Sequence, residues 1–551
     1  MTNAIICIVN SKYIHSSLAP WYLKASVTDE NINIDILEWT INRSRDELFE
    51  RIRKENPKVL ALSCYIWNIE YILPLVNQIK TANPEIIIVL GGPEVSYNSR
   101  EVLDNSLADY VISGEGEIPF AKIMTAISSG SKIEGIDGVF GKDFDSETFI
   151  SCETPPNPYT KEYFDSLNTR IVYIETVRGC PFSCSFCLSG RCGGMKYFPM
   201  DRVKNDIITL ANSGTKTIKF IDRSFNVNAK RALEIILFIC ENYDENIPKN
   251  VEFHFEIAGD ILTKEIISAL NTAPKGLFRV EIGLQSFNEK TLNAVNRKTN
   301  IEKLKQNITA LVVPKNVHVH IDLIAGLPYE NFDSFKESFN TAFSLNPNVL
   351  QLGFLKLLHG SPMEENPMGN FSKTAPYQVI NTPWINENEL ARLHFAEEAL
   401  ERLYNSERFT DLLNFAIDYF DNAFDMFLKF GEESGWKYGE SLDEFTTKTY
   451  NFFSIYTDKT KLKDIMIEER LSSNSVGKLP PVLRNENYKM GKLLVALDKH
   501  ENLKRQKSVK RSAAFLESTG EIIYIDYTQK QENGRYKINK ILLSEVESNE
   551  K

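Results

Sequence analysis

The sequence predicts an α/β protein in three parts: a doubly wound, Rossmann-like domain, a partial (β/α)6 barrel of the TIM type, and a mainly helical C-terminal domain with a small β element. Three observations carry this. Short β-branched runs bounded by turn residues alternate with helix-length segments over residues 1–140. The alternation resumes at 171 with new spacings, after a linker at 141–170 whose PPNP (155–158) can continue neither a helix nor a central strand. Beyond 365 the runs give way to aromatics at helical spacing and then to two strand-like stretches.

In the first part the runs are AIICIV (4–9), INIDIL (32–37), KVLALS (58–63), EIIIVLGG (85–92), DYVIS (109–113) and DGVF (137–140). Continuous apolar runs of this length are expected of parallel strands buried on both faces. Such a sheet binds its ligand at the carboxyl ends of its strands. Four signals collect there: NSKYIH (10–15), SCYIWN (63–68), GGPE (91–94) and GEGE (114–117). In the second part, 171–365, the strands are IVYIETV (171–177), TIKFID (217–222), VEFHFEIA (251–258), FRVEIGL (278–284), VHVHIDLIAGL (317–327) and VLQLGFLKL (349–357). Each of the first five is followed by a helix-compatible segment. Polar residues at the strand ends put the chemistry on the C-terminal rim. In the third part, 366–551, Phe409, Phe415, Tyr419, Phe420, Phe424, Phe427 and Phe430 read as helix core. EIIYIDYT and RYKINKILL, parted by QKQENG, read as a hairpin.

The 551 residues carry a formal charge of −11, which argues against a wholly basic nucleic-acid coat. The N-terminus lacks the cationic start and apolar run of a signal peptide. No stretch reaches the roughly 18 apolar residues of a membrane span. A cytoplasmic protein is expected. In a reducing compartment, clustered cysteines are metal ligands or catalysts sooner than disulfides.

Four of the eight cysteines fall in RGCPFSCSFCLSGRCGG (178–194): Cys180, Cys184, Cys187 and Cys192. A structural zinc site could use all four, although zinc sites favour two close pairs separated by a longer loop. A four-cysteine iron–sulfur electron carrier is another reading. In a third, Cys180, Cys184 and Cys187 alone hold a [4Fe–4S] cluster and leave one iron open. The position, on the loop after the first barrel strand, favours the third.

That C-x3-C-x2-C loop, with Phe186 before its last cysteine, resembles the radical S-adenosylmethionine (SAM) superfamily. The resemblance implies that the open iron chelates SAM, that Phe186 lies beside the adenine and that Cys192 is not a ligand. It also implies SAM contacts on later strands: Asp222 or Arg223 in KFIDRSFN, where the family's Gly-Gly-Glu is absent, Glu256 in FEIAGD, Gln285 and Ser286 in EIGLQS, and Asp322 in DLIAGLPYE. For Glu256 the competing reading is a strand-end cap, and for His318 and His320 it is a satisfied core histidine.

The α/β domain ahead of such a barrel resembles the cobalamin-binding domain of cobalamin-dependent radical SAM enzymes. Its cofactor contacts are then expected at Tyr13, His15, Ser63, Tyr65, Gly91, Gly92, Gly114, Glu115, Gly116 and Glu117. The family's D-x-H-x-x-G is absent, so a non-ligating residue or water is expected below the cobalt in preference to His15. The implied cofactors are cobalamin, a [4Fe–4S] cluster and SAM. The implied activity is methyl transfer to an unactivated carbon through methylcobalamin and a 5′-deoxyadenosyl radical, with flavodoxin or ferredoxin as electron donor. Alternatives are a radical rearrangement or cyclisation, a tRNA-modifying enzyme and an iron–sulfur or cobalamin sensor. The substrate is a small molecule or RNA. RNA is suggested by six Lys/Arg against one Glu at 499–511, a stretch that also reads as a solvated helix face.

Overall fold

The computed structural model describes residues 2–191, 193–473, 478–500, 510–531 and 534–548. These form two compact units, one of residues 2–338, 345–348 and 352–387, the other of 339–344, 349–351 and the described residues from 388 on.

The first unit holds one six-stranded sheet and all but residues 349–351 of another. Strands β1 (Thr2–Asn10), β2 (Ile32–Thr40), β3 (Val59–Ser63), β4 (Ile87–Gly91), β5 (Tyr110–Ile112) and β6 (Val139–Gly141) stand in the order β2-β1-β3-β4-β5-β6. All pairs are parallel except β5–β6. The sixth run therefore departs from the expected parallel strand. After the helix Glu117–Ser129 the chain returns along the edge against β5, and an apolar run does not encode its own direction. Both faces are covered, with Cys7, Leu60 and Leu90 packed on one side and Ile6, Val89 and Phe120 on the other.

The second sheet runs β14-β13-β12-β11-β10-β7. Its strands are β7 (Val172–Ile174), β10 (Thr217–Phe220), β11 (Glu252–Ile257), β12 (Phe278–Gln285), β13 (His318–Ala325) and β14 (Val349–Phe354). Between β7 and β10, the short strands β8 (Val177–Arg178) and β9 (Lys196–Tyr197) pair antiparallel and frame the cysteine loop. This is the partial barrel. Along β11 to β13 burial alternates strictly. Phe253, Phe255, Val280, Ile282, Val319 and Ile321 are buried on one face. The intervening polar residues share the other face, as a period of two requires.

In the second unit, helices including Ala423–Glu433, Leu442–Tyr456 and Lys459–Ser473 pack around Phe424, Phe427, Phe430 and Phe453, all at 0% exposure. Tyr419 is 47% exposed, so it departs from the expected aromatic core. The hairpin forms as β18 (Glu521–Lys530) and β19 (Tyr536–Leu542), joined by a strand not foreseen, β17 (Arg511–Leu516). β15 (Asn370–Phe371) and β16 (Val379–Asn381) make a small ribbon in the first unit. Among the described residues no helix is long and apolar enough to cross a membrane.

Candidate functional site

The cysteine loop begins where β7 stops. Asp222, fully buried after β10, accepts hydrogen bonds from Thr176 N (2.7 Å), Val177 N (3.1 Å) and the Thr176 hydroxyl. Burial pushes its carboxyl up to about 7, against those donors. Arg231 adds bonds to the carbonyls of Thr176 (3.2 Å) and Phe198 (2.8 Å). Asp222 therefore anchors the turn that launches the loop and does not face a cavity, contrary to the expected SAM contact. The side of the strand end was not set by its sequence.

Arg178 locks the other side of the loop. Its guanidinium meets Glu115 (2.8 Å), Glu117 (2.9 Å) and Glu175 (2.9 Å), and Lys196 also reaches Glu115 at 2.8 Å. The GEGE glutamates line the larger cavity, but they also tie the first sheet to the cysteine loop. That clamp joins residues 61 and 63 positions apart, which no local motif signals.

Cys180, Cys184 and Cys187 line one cavity of about 190 Å³. All three are free thiols, with Cys184 buried. Arg297 Nη1 lies 3.7 Å from Cys184 Sγ, Ser189 N donates to Cys187 Sγ at 3.4 Å, and Ser224 Oγ is 3.8 Å from Cys180 Sγ. Burial pushes the Cys184 thiol up while Arg297 pulls it down. Iron would complete that stabilisation of the thiolate. Among the described residues, Glu281, His320 and Asp322 bring one ligand atom each within 4.8 Å of one another. Cys192 lies outside the described residues.

The same cavity is lined by Phe186, Glu256, Gln285 and Asp322. The ladder between β12 and β13 shifts register between Gly283 and Gln285, and Gln285 has φ 74°. A bulge of this kind re-aims a side chain. Gln285 Oε1 is buried without a hydrogen-bond partner, an acceptor left for a ligand. Ser286 is absent from the lining and corrects the expectation. It is 1% exposed and donates to Glu330 at 2.6 Å, and burial pushes that carboxyl up to about 7.

Below the rim Glu256, His320 and Asp322 join a polar cluster with Lys219, His254 and Glu281, three residues not foreseen. Lys219 Nζ sits 3.0 Å from Glu281 and 3.5 Å from Glu256, His254 is 3.0 Å from Glu281, and His320 is 3.0 Å from Asp322. Burial opposes the charge of Glu281, but His254 and Lys219 hold it at about 2. Lys219 supplies the cation here. The signal was present as H-x-E (254–256), R-x-E (279–281) and H-x-H-x-D (318–322), polar at every second position.

A larger cavity, of about 700 Å³, opens at the carboxyl ends of the first sheet and reaches the cysteine loop. Its volume falls within the range of ligand pockets, about 300–1,000 Å³. His15, Ser63, Tyr65, Gly91, Gly92, Gly114, Glu115, Gly116 and Glu117 all line it. Tyr13 does not. It is 63% exposed, with the Arg170 guanidinium 5.6 Å from its ring. His15 Nδ1 is bonded to Tyr173 Oη at 2.6 Å, and burial and nearby lysines lower its pKa. Trp67, not foreseen, stacks on Tyr65 at 4.3 Å and joins the lining. Gly92 (φ 113°) and Gly114 (φ 90°) are required by the fold itself. A Cβ there would strike the backbones of Cys64 and Phe149. The glutamate of GGPE, Glu94, is 6% exposed and accepts from Tyr377 Oη at 2.6 Å.

The sequence matches the B12 binding domain over residues 5–124, the radical SAM superfamily over 174–342 and a protein family of unknown function, DUF4080, over 369–543. It is 27% identical over 334 residues to the cobalamin-dependent radical SAM methyltransferase TokK of Streptomyces tokunonensis, covering 56% of this chain and 48% of that one. It is 25% identical over 294 residues to the hopanoid C-3 methylase of Methylococcus capsulatus (49% and 53%). It is also 25% identical over 353 residues to the anaerobic magnesium-protoporphyrin IX monomethyl ester cyclase of Rubrivivax gelatinosus (60% and 61%). The chain spans about half the length of the curated relatives it matches. In fold it resembles the cobalamin-dependent SAM radical enzyme OxsB with aqua-cobalamin and SAM bound, at TM-score 0.59, 12% identity and coverage of 86% and 79%. It also resembles TsrM of Kitasatospora setae with cobalamin and a [4Fe–4S] cluster bound, at TM-score 0.55, 18% identity and coverage of 68% and 76%.

A B12 binding domain followed by a radical SAM domain defines the class. Within it, the chain is a homologue of the cobalamin-dependent radical SAM methyltransferases and carries a further C-terminal domain. Cobalamin, a [4Fe–4S] cluster and SAM are the groups bound in those structures of OxsB and TsrM.

Proposed function

We propose that the chain is a methyltransferase acting on an unactivated carbon. The observation that supports this most is the meeting of the two cavities: Ser189 and Arg223 line both. Bound together, the cofactors supply a methyl carrier and a reductively generated carbon radical. The chain's own part is placement and exclusion of water. Cys180, Cys184 and Cys187 would hold the cluster, with Arg297 and Ser189 N supporting the thiolates. Phe186, Glu256, Gln285 and Asp322 would face SAM. The 700 Å³ cavity would take cobalamin over Ser63, Tyr65, Trp67, Gly91 and Gly116, with His15 turned to Tyr173 and away from a ligand's role. The Arg178 clamp would hold the two sites in register.

The domain limits 1–140, 171–365 and 366–551 belong to the same proposal, as do a cytoplasmic setting, a small-molecule substrate and flavodoxin or ferredoxin as donor. The test is product analysis under anaerobic turnover with the substrate. Methyl transfer yields both 5′-deoxyadenosine and S-adenosylhomocysteine. 5′-Deoxyadenosine alone, from fully loaded protein, would replace methylation with a cyclase-like radical reaction of the kind one relative is named for.

A further inference from the structure

Of the two residues shared by both cavities, Ser189 is committed to the cysteine loop through its amide. Arg223 is not so committed. It follows the buried Asp222, and its side chain points the other way, 61% exposed. Its nearest carboxylate, on Glu256, is 3.9 Å away, and Glu256 also lies 3.5 Å from Lys219. The neighbouring guanidiniums have closer partners: Arg178 its three glutamates, Arg191 Glu365 at 3.1 Å, Arg297 the Gly283 carbonyl. Burial raises the pKa of the Tyr65 phenol in the larger cavity, and the Arg223 charge opposes that rise.

A guanidinium stays charged and presents five donors in a planar fork, matched by a carboxylate or phosphate accepting two parallel bonds. One held between two cavities, with a single loose ion pair, is a recognition group awaiting an oxyanion. We propose that Arg223 selects the substrate by binding its carboxylate or phosphate at the junction of the two cavities. This rests on the methyltransferase reading and adds to it a substrate class, small organic anions. The junction position would bring the carbon beside that anion within reach of both sites.

The test uses full-length protein loaded with cluster, cobalamin and SAM. Succinate and inorganic phosphate are the probes, succinamide the uncharged control, and titration calorimetry the readout. At least one anion should bind in the millimolar range and succinamide not at all, with a tenfold or greater loss in Arg223→Gln and partial recovery in Arg223→Lys. SAM affinity, measured on the same preparations, should move less than twofold. Anion binding that is absent in the wild type or unchanged in Arg223→Gln overturns the proposal. So does a parallel loss of SAM affinity, which would assign Arg223 to SAM's own carboxylate. Failure of the methyltransferase reading shows separately, as wild-type protein that forms no S-adenosylhomocysteine.

Discussion

Replacing Asp222 separates an anchor of the cysteine loop from a ligand of SAM. Its carboxylate takes two backbone amides and one hydroxyl in a site with no solvent exposure. Asp222→Ala orphans Thr176 N and Val177 N, at about 1–3 kcal/mol for each buried unsatisfied donor, or about 2–6 kcal/mol together. That is a large share of a domain's stability, and it falls on the turn leading to Cys180. Asp222→Asn is the control. Both amides donate to one oxygen, Oδ1, which Asn retains, and its Nδ2 can donate to the Thr176 hydroxyl. Iron content after anaerobic reconstitution, the thermal midpoint and SAM affinity should be measured on each variant. Asp222→Ala should lose most of its iron and melt lower, whereas Asp222→Asn should keep its iron and its SAM affinity. An Asp222→Asn protein with full iron and SAM affinity reduced tenfold would refute the anchor assignment.

Cys184→Ser should abolish both the iron–sulfur chromophore and SAM cleavage, and Cys192→Ser should retain both, as absorbance and product analysis will report. Arg178→Met leaves Glu117 and Glu175 mostly buried without their cation, while Glu115 keeps Lys196, so it should cost about 3–5 kcal/mol in chemical denaturation. Glu469, which accepts from Asp411 N at 2.6 Å in the second unit, has its carboxyl pushed up to about 8 by burial. A raised carboxyl favours folding while protonated, and this contribution is lost as pH climbs from about 4.5 through 8. The thermal midpoint of wild type relative to Glu469→Gln should therefore fall between pH 5 and pH 9, and a difference independent of pH would contradict the assignment.

Much of this could be read from the residues because the signals are local. β-branched runs mark β1 to β5, and the strand spacing after 171 marks the barrel. C-x3-C-x2-C singles out the three cysteines that share a cavity. What escaped is what distance along the chain decides. The direction of β6, the Arg178 clamp and the inward burial of Asp222 and Ser286 depend on partners dozens of residues away. Lys219, His254 and Glu281 follow a period-two alternation, which shows that each shares its strand's polar face but not that the three meet across strands. β17, with Ser, Ala and Ala at its centre, lacks the branched residues that announce a strand.

The central claim is that three cysteines hold an iron–sulfur cluster with one iron open to SAM, next to a cobalamin site. Electron paramagnetic resonance of anaerobically purified, reduced protein, with metal analysis of the same sample, tests it most directly. About four irons and one cobalt per chain are expected, with a [4Fe–4S]+ signal that changes shape when SAM is added. Zinc in place of iron, or a cluster signal indifferent to SAM, would contradict it.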